Sequence, residues 1–356
     1  MGGLLRRVSR RGALTQIRYV APIRPKAAPE PVRAVYSQVE RDFGMLAPPV
    51  ALHAPAPEVL AACWAMLRET LIVGTAPRAD REAVAAGVSL GNTCPYCVQV
   101  HATLLHGLAV SRDAAAIAAG RLEEVGEERI RRLALWARET GRREAGEPPF
   151  PADHAAELIG VAVTFHYLNR MVNVFLGEPP IPARTPGAAR ELLMRALGGL
   201  MRGTAIRPAP PGAALDLLPP AQARPADRAW ATGTGGRAVA AAATAVEAAG
   251  RRCMSDAVRD LVTGTLAHWD GRPPALGNGW LDTAVIDLPA GQRPVARLAL
   301  ATALASYRIG PSDIEAVRLT GADDRTLIEI TSWASLAAAR RVGSRLLPAS
   351  TADPDR

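Results

Sequence analysis

Apolar residues recur three and four positions apart along most of the chain from Val35 to Leu176. The segments VRAVYSQVERDFG, PEVLAACWAMLRETLI, DREAVAAGVSL, PYCVQVHATLLHGL, ERIRRLALWARET and DHAAELIGVAVTFHYLNRMVNVFL each show this period and are bounded by Pro, Gly, Asp or Ser. That is the signature of amphipathic helices with capped ends. No alternating strand pattern competes, so the pattern predicts an all-α protein. Prolines then crowd the stretch from 178 to 228 around one helical piece, ARELLMRALGGLM, which reads as a linker. Helical periodicity returns from about Ala229 to Leu347, ahead of the polar tail STADPDR. The predicted organisation is an N-terminal arm over 1–30, a helical block over 31–178, a linker over 179–228, a second helical block over 229–347 and a tail over 348–356.

The second block reads as a worn copy of the first. RLALATALASYRI from Arg297 parallels RLALWARET from Arg132, and LIEITSWASLAAARRVGSRL from Leu327 parallels LIGVAVTFHYLNRMVNVFLG from Leu158, in the same order. A duplication would explain both matches. The second block has no Cys-x-x-Cys, and its one cysteine, Cys253, has no partner nearby in sequence. A copy of this kind keeps the packing without the chemistry.

Length and composition agree with two helical units. A chain of 356 residues exceeds one ordinary helical domain, and few aromatics with abundant alanine favour close-packed helices. The formal charge of +8 rests on 42 basic residues, of which Lys26 is the only lysine. These arginines are mixed with acids throughout and are not interleaved with aromatics, so no nucleic-acid partner is expected. The one dense cluster, Arg6, Arg7, Arg10 and Arg11, reads as part of a solvated arm. No apolar h-region follows those arginines and no run of 18 apolar residues occurs, so neither export nor a membrane partner is expected. The expected compartment is cytoplasmic, where a Cys-x-x-Cys pair serves redox or metal chemistry rather than stapling a fold.

That pair is the chemistry of the chain. In REAVAAGVSLGNTCPYCVQVH, Glu82 precedes Cys94 by an eleven-residue gap, Cys97 follows three residues on, and His101 lies four beyond it. Gly91-Asn92-Thr93 should end one helix and Pro95 should start the next. Cys94 then falls near the N-cap and Cys97 about one turn in. Unpaired amides and the helix dipole favour thiolate at such positions, so a lowered thiol pKa is expected. His101 shares the face of Cys97, and Glu82 can return beside it across the turn to orient the imidazole. The same residues could hold a metal through two thiolates, an imidazole and Glu82, although no second Cys/His pair completes a usual zinc site.

Glu-x11-Cys-x-x-Cys-x-x-x-His resembles the motif of the carboxymuconolactone decarboxylase/alkylhydroperoxidase D superfamily. The flanking DFGMLAPPVALHAPAPEVLAACWAMLRE and FHYLNRMVNVFLG are also similar to that family. The resemblance covers roughly 35–178 well and 229–347 faintly. It implies an alkylhydroperoxidase D-like helical bundle built of two fused modules, the second degenerate. It further implies that Cys97 is the peroxidatic thiol, Cys94 the resolving one, His101 the base for Cys97, and Glu82 the end of a proton relay. One position departs: where well-studied members carry a histidine just before the second cysteine, this chain has Tyr96. A phenol, with a pKa of about 10, shuttles protons less well at neutral pH than imidazole. The lactone decarboxylases of the family lack the cysteine pair, so decarboxylation is not expected.

The resulting expectation is a thiol-dependent peroxidase using a Cys94–Cys97 dithiol/disulfide couple. Its partners would be a peroxide substrate and an external dithiol reductant, it would need no cofactor, and it would form a homo-oligomer. A non-enzymatic redox sensor or scaffold, and a metal-binding protein, are the alternatives. Elsewhere, Cys63 reads as a buried small hydrophobe, and His53 and His106 as structural or surface residues. His166 and Asn169 read as polar groups needing partners on an apolar helix. Gly233-Thr234-Gly235-Gly236 lacks a Lys-Ser/Thr ending and reads as a turn rather than a phosphate loop.

Overall fold

Proline opens several helices of the first half of the chain. It stands in the first turn of α1 (Glu30–Phe43), α2 (Pro48–Ala51) and α3 (Pro57–Leu67), at the N-cap of α4 (Arg78–Gly91), and again in the first turn of α5 (Pro95–Gly107). Its fixed φ suits those positions and its missing N–H costs nothing there. The first block closes with α6 (Ser111–Ala118), α7 (Glu128–Glu139) and the long α8 (Ala152–Phe175). After α9 (Gly187–Ala205) the second block comprises α10 (Gly233–Cys253), α11 (Asp256–His268), α12 (Gly279–Ala284), α13 (Arg293–Ala305), α14 (Pro311–Arg318) and α15 (Asp324–Gly343). This is a computed structural model, and it describes residues 12–108, 111–181, 185–205, 207–222, 224 and 232–346. Among the described residues there is no strand, only one isolated bridge between Ile17 and Leu176. The protein is an all-α bundle, and no described helix is long and apolar enough to cross a membrane.

One continuous apolar core runs through both blocks. α8, buried along nearly its whole length, packs against α15, and α3 packs against α10. Within the first block α4 lies against α7 so closely that a Cβ on Gly87 would meet the carbonyl oxygen of Ala134 at 2.4 Å. Only glycine allows that approach. Between their long outer helices the blocks differ. Where the first has α5 and α6, the second has only the six-residue α12, and α14 occupies the stretch before its last helix.

Three expectations change. The linker helix is longer than predicted and not passive: α9 crosses α5 at Gly198 and Gly107, where a Cβ on Gly107 would lie 2.4 Å from the Gly198 carbonyl oxygen. Gly233 to Gly236 form no turn but the first turn of α10, where Gly235 comes up against the backbone of Glu69. Low helix propensity yields there to a close backbone contact. The described part of the arm is pinned rather than loose. Leu14 is buried, Arg318 donates to the Tyr19 carbonyl, and the Ala21 amide donates to Asp324 at 2.7 Å. The cluster Arg6, Arg7, Arg10 and Arg11 lies outside the described residues.

Candidate functional site

The turn between α4 and α5 builds the site. Its backbone closes as a Schellman motif, with the Cys94 amide donating to Ser89 O at 2.9 Å and the Thr93 amide to Leu90 O at 3.1 Å. The left-handed position that this motif requires is filled not by Gly91, which remains helical, but by Thr93 at φ 52°. Gly91 is needed for space instead, since a Cβ there would lie 2.3 Å from Arg138 O. A β-branched residue in that region is strained, and α8 holds the turn in place. Asn173 Nδ2 donates to Asn92 O at 3.1 Å, and the Asn92 side-chain Nδ2 donates to Asn169 Oδ1 at 3.0 Å. Cys94 is the N-cap of α5 and Cys97 lies in its first turn, as the spacing predicts.

All four predicted residues come together. Both cysteines are free thiols and almost wholly buried, Cys94 at 0% and Cys97 at 2% exposure, and they lie within hydrogen-bonding reach of each other. Glu82 Oε2 faces His101 Nδ1 at 2.6 Å, and Arg78 Nε donates to Glu82 Oε1 at 2.7 Å. With Nδ1 held by the carboxylate, Nε2 of His101 is the nitrogen left for chemistry. Phe165 packs edge-on against the imidazole, with ring centroids 4.5 Å apart. Burial alone would raise the Glu82 carboxyl, but Arg78 and then His101 outweigh it and hold it below the usual carboxylate range.

The acidity expected at a helix start does not appear. Burial, followed by the neighbouring Cys94, pushes the Cys97 thiol well up, against a hydrogen bond from Asn169 that favours the thiolate. Desolvation outweighs the helix dipole because burial withdraws the sulfur from the solvent that would stabilise its charge. Tyr96 is also raised by burial, and its hydroxyl donates to Gln16 Oε1 at 2.8 Å. It stands as a neutral wall residue.

Cys97 and His101 line a cavity of about 250 Å³ whose other walls include Leu46, Val100, Phe165 and Leu168. Both groups border this cavity, so a molecule in it meets the thiol and the imidazole together. The metal alternative finds no support in the donor set. Both Glu82 oxygens are engaged, and no three His, Cys, Asp or Glu side chains among the described residues are grouped to hold an ion.

Of the further candidates, Asn169 reaches the dithiol while His166 does not. His166 bonds Thr140 and Asn92, and burial, then Arg170, keeps its imidazole neutral. His53 is buried against Tyr167 and Val50, and Cys63 is buried, both in structural roles. His106 lies half-buried near the end of α5. Arg78, Gln16 and Gln99 were not singled out from sequence. Only Arg78, one helical turn before Glu82, leaves a signal there.

Comparison with known proteins gives the family. The profile of the Carboxymuconolactone decarboxylase family matches residues 57–139, which include Glu82, Cys94, Cys97 and His101. The chain is also 36% identical, over 329 residues, to an alkyl hydroperoxide reductase of Mycobacterium tuberculosis strain H37Rv. That alignment covers 92% of this chain and 94% of the relative.

Proposed function

Because the chain belongs to the carboxymuconolactone decarboxylase family, we propose that it reduces hydroperoxides through a Cys94–Cys97 couple, as a cytoplasmic enzyme and a homo-oligomer. The observation that carries the reading is the shared cavity. Cys97 and His101 form one wall of it, Cys94 lies within reach of Cys97, and a buried carboxylate holds the imidazole. A hydroperoxide in that cavity would face both the Cys97 sulfur and the His101 imidazole. His101 takes the thiol proton, Cys97 sulfur attacks the O–O bond, and the alcohol leaves with that proton. The sulfenic acid on Cys97 then condenses with Cys94, releasing water and leaving a disulfide. An external dithiol returns both thiols. Glu82 stabilises the imidazolium while the proton is held there, and Arg78 keeps Glu82 ionised.

The test is consumption of cumene hydroperoxide with dithiothreitol as reductant, by the wild type and Cys97→Ser. Turnover lost in the variant supports the reading, and a wild type that never turns over ends it. One observation favours a redox sensor instead, the burial that keeps Cys97 protonated. A sensor would be oxidised once per molecule and show no sustained consumption.

A further inference from the structure

We propose that the dithiol has two entrances: the hydroperoxide reaches Cys97 through the cavity shared with His101, and a low-molecular-weight dithiol reaches Cys94 through a second, separate cavity. The inference rests on the couple proposed above and adds where each co-reactant binds. The second cavity, of about 300 Å³, is walled by Cys94, Pro95, Ala119, Pro179, Ile181 and Met194. Neither Cys97 nor His101 lines it, just as Cys94 does not line the first. Gln99 stands between the two and lines both. Its side-chain amide donates to Ile181 O at 2.7 Å and accepts from the Ile181 amide at 2.6 Å, fixing the segment that roofs the partition.

The chemistry asks for such a division. A thiolate attacks a disulfide sulfur from the side away from the sulfur that leaves, through a mixed disulfide. Attack on Cys94 from the second cavity breaks the Cys94–Cys97 bond and forms a bond from the reductant's first sulfur to Cys94. Cys97 leaves with the electron pair of the broken bond and takes up one proton, balancing the one that the attacking thiol gave up. The second thiol of the reductant then attacks its own first sulfur, closing a disulfide in the reductant and freeing Cys94, which takes up a proton. Two electrons have moved from the dithiol to the protein. The occupant is small because Cys94 is fully buried. The face of a folded protein cannot bring its cysteine to a recessed sulfur, whereas a slender thiol fits an apolar cavity of this size.

The two half-reactions can be timed apart in the full-length protein. Oxidation of the reduced protein by cumene hydroperoxide is read by quenched alkylation, and reduction by dithiothreitol is read on a disulfide preformed with diamide. Met194→Trp, or Ala119→Trp at the exposed rim if the first variant folds poorly, should slow reduction by about tenfold or more and leave oxidation within about twofold. Val100→Trp should do the reverse. Equal slowing of both half-reactions by one variant, or Met194→Trp slowing oxidation alone, would overturn the two-entrance assignment. Faster reduction by a thioredoxin-like protein than by dithiothreitol, unaffected by Met194→Trp, would overturn the small-dithiol assignment. Because the reduction arm does not use peroxide, a wild type inert to hydroperoxide would sink the peroxidase reading while the diamide-formed disulfide still tests the second entrance.

Discussion

The residue that decides the chemistry is also the one its surroundings hold back. Cys97 sits where a helix start favours thiolate, yet its burial favours thiol. On a Cys94→Ser background, iodoacetamide labelling should therefore have its midpoint above the free-cysteine value of about 8.5, so oxidation of Cys97 should accelerate as pH rises through the alkaline range. Asn169→Leu should move the midpoint higher still, because the thiolate loses its hydrogen-bond donor. A midpoint below the free value would mean the resting site is more hydrated than its packing indicates. Glu82 behaves in the opposite sense. Its folded carboxyl is depressed, so it contributes stability that is complete above the ordinary carboxylate pKa of about 4.3 and disappears as pH falls through the folded value. Glu82→Gln should cost about 1–3 kcal/mol at pH 7, and the difference between its melting curve and the wild type's should narrow in acid. Loss of the carboxylate behind His101 should also cut peroxide turnover by about a hundredfold.

At the scale of elements, glycine spacing sets the site as firmly as its functional groups do. α4 carries Glu82 and lies on α7 through Gly87, and α9 lies over α5 through the Gly107–Gly198 contact. Gly87→Val would force a branched side chain against the Ala134 carbonyl, and overpacking of this kind costs about 1–3 kcal/mol or more. The melting temperature should fall, and turnover should fall with it as Glu82 shifts from His101. Gly198→Val should lift α9 from α5 instead. Alkylation of Cys94 and Cys97 should then become faster at a fixed pH, while the variant stays folded. Unchanged labelling would show that α9 does not shield the dithiol.

At the scale of the whole molecule the two blocks complete one core. α3 of the first block packs on α10, the opening helix of the second, and the last helix of each meets the other, α8 on α15. Like-on-like pairing is how an isologous interface is built, and it suits a duplication in which the second copy takes a partner's place. Superposition of the two blocks should then bring Arg297 over Arg132 and Leu327 over Leu158, with α12 and its loops at the place of the dithiol helix. Further ties cross the boundary: the Glu69 carboxylate accepts from the amides of Gly212 and Ala214 in the linker, and Tyr167 of α8 donates to Ser332 of α15. Truncation after residue 228 would bare the apolar faces of α3 and α8. It should yield aggregated protein in size-exclusion chromatography rather than a soluble active fragment.

The periodicity of VRAVYSQVERDFG, DREAVAAGVSL and DHAAELIGVAVTFHYLNRMVNVFL was enough to establish helices, because apolar residues three and four apart have one common face to bury. The spacing of Glu82, Cys94, Cys97 and His101 was enough to identify the candidate chemistry, since turn signals and helical phase are local properties. Three features depended on contacts distant in sequence. Thr93 could fill a glycine's place only because Asn169 and Asn173 hold the turn from α8. Gly233 to Gly236 start a helix whose Gly235 packs against the backbone of Glu69, a residue far away in sequence. The acidity of Cys97 reversed because a buried sulfur answers to its solvation before it answers to the helix dipole, and solvation is fixed only when α8, α9 and the arm close around α5.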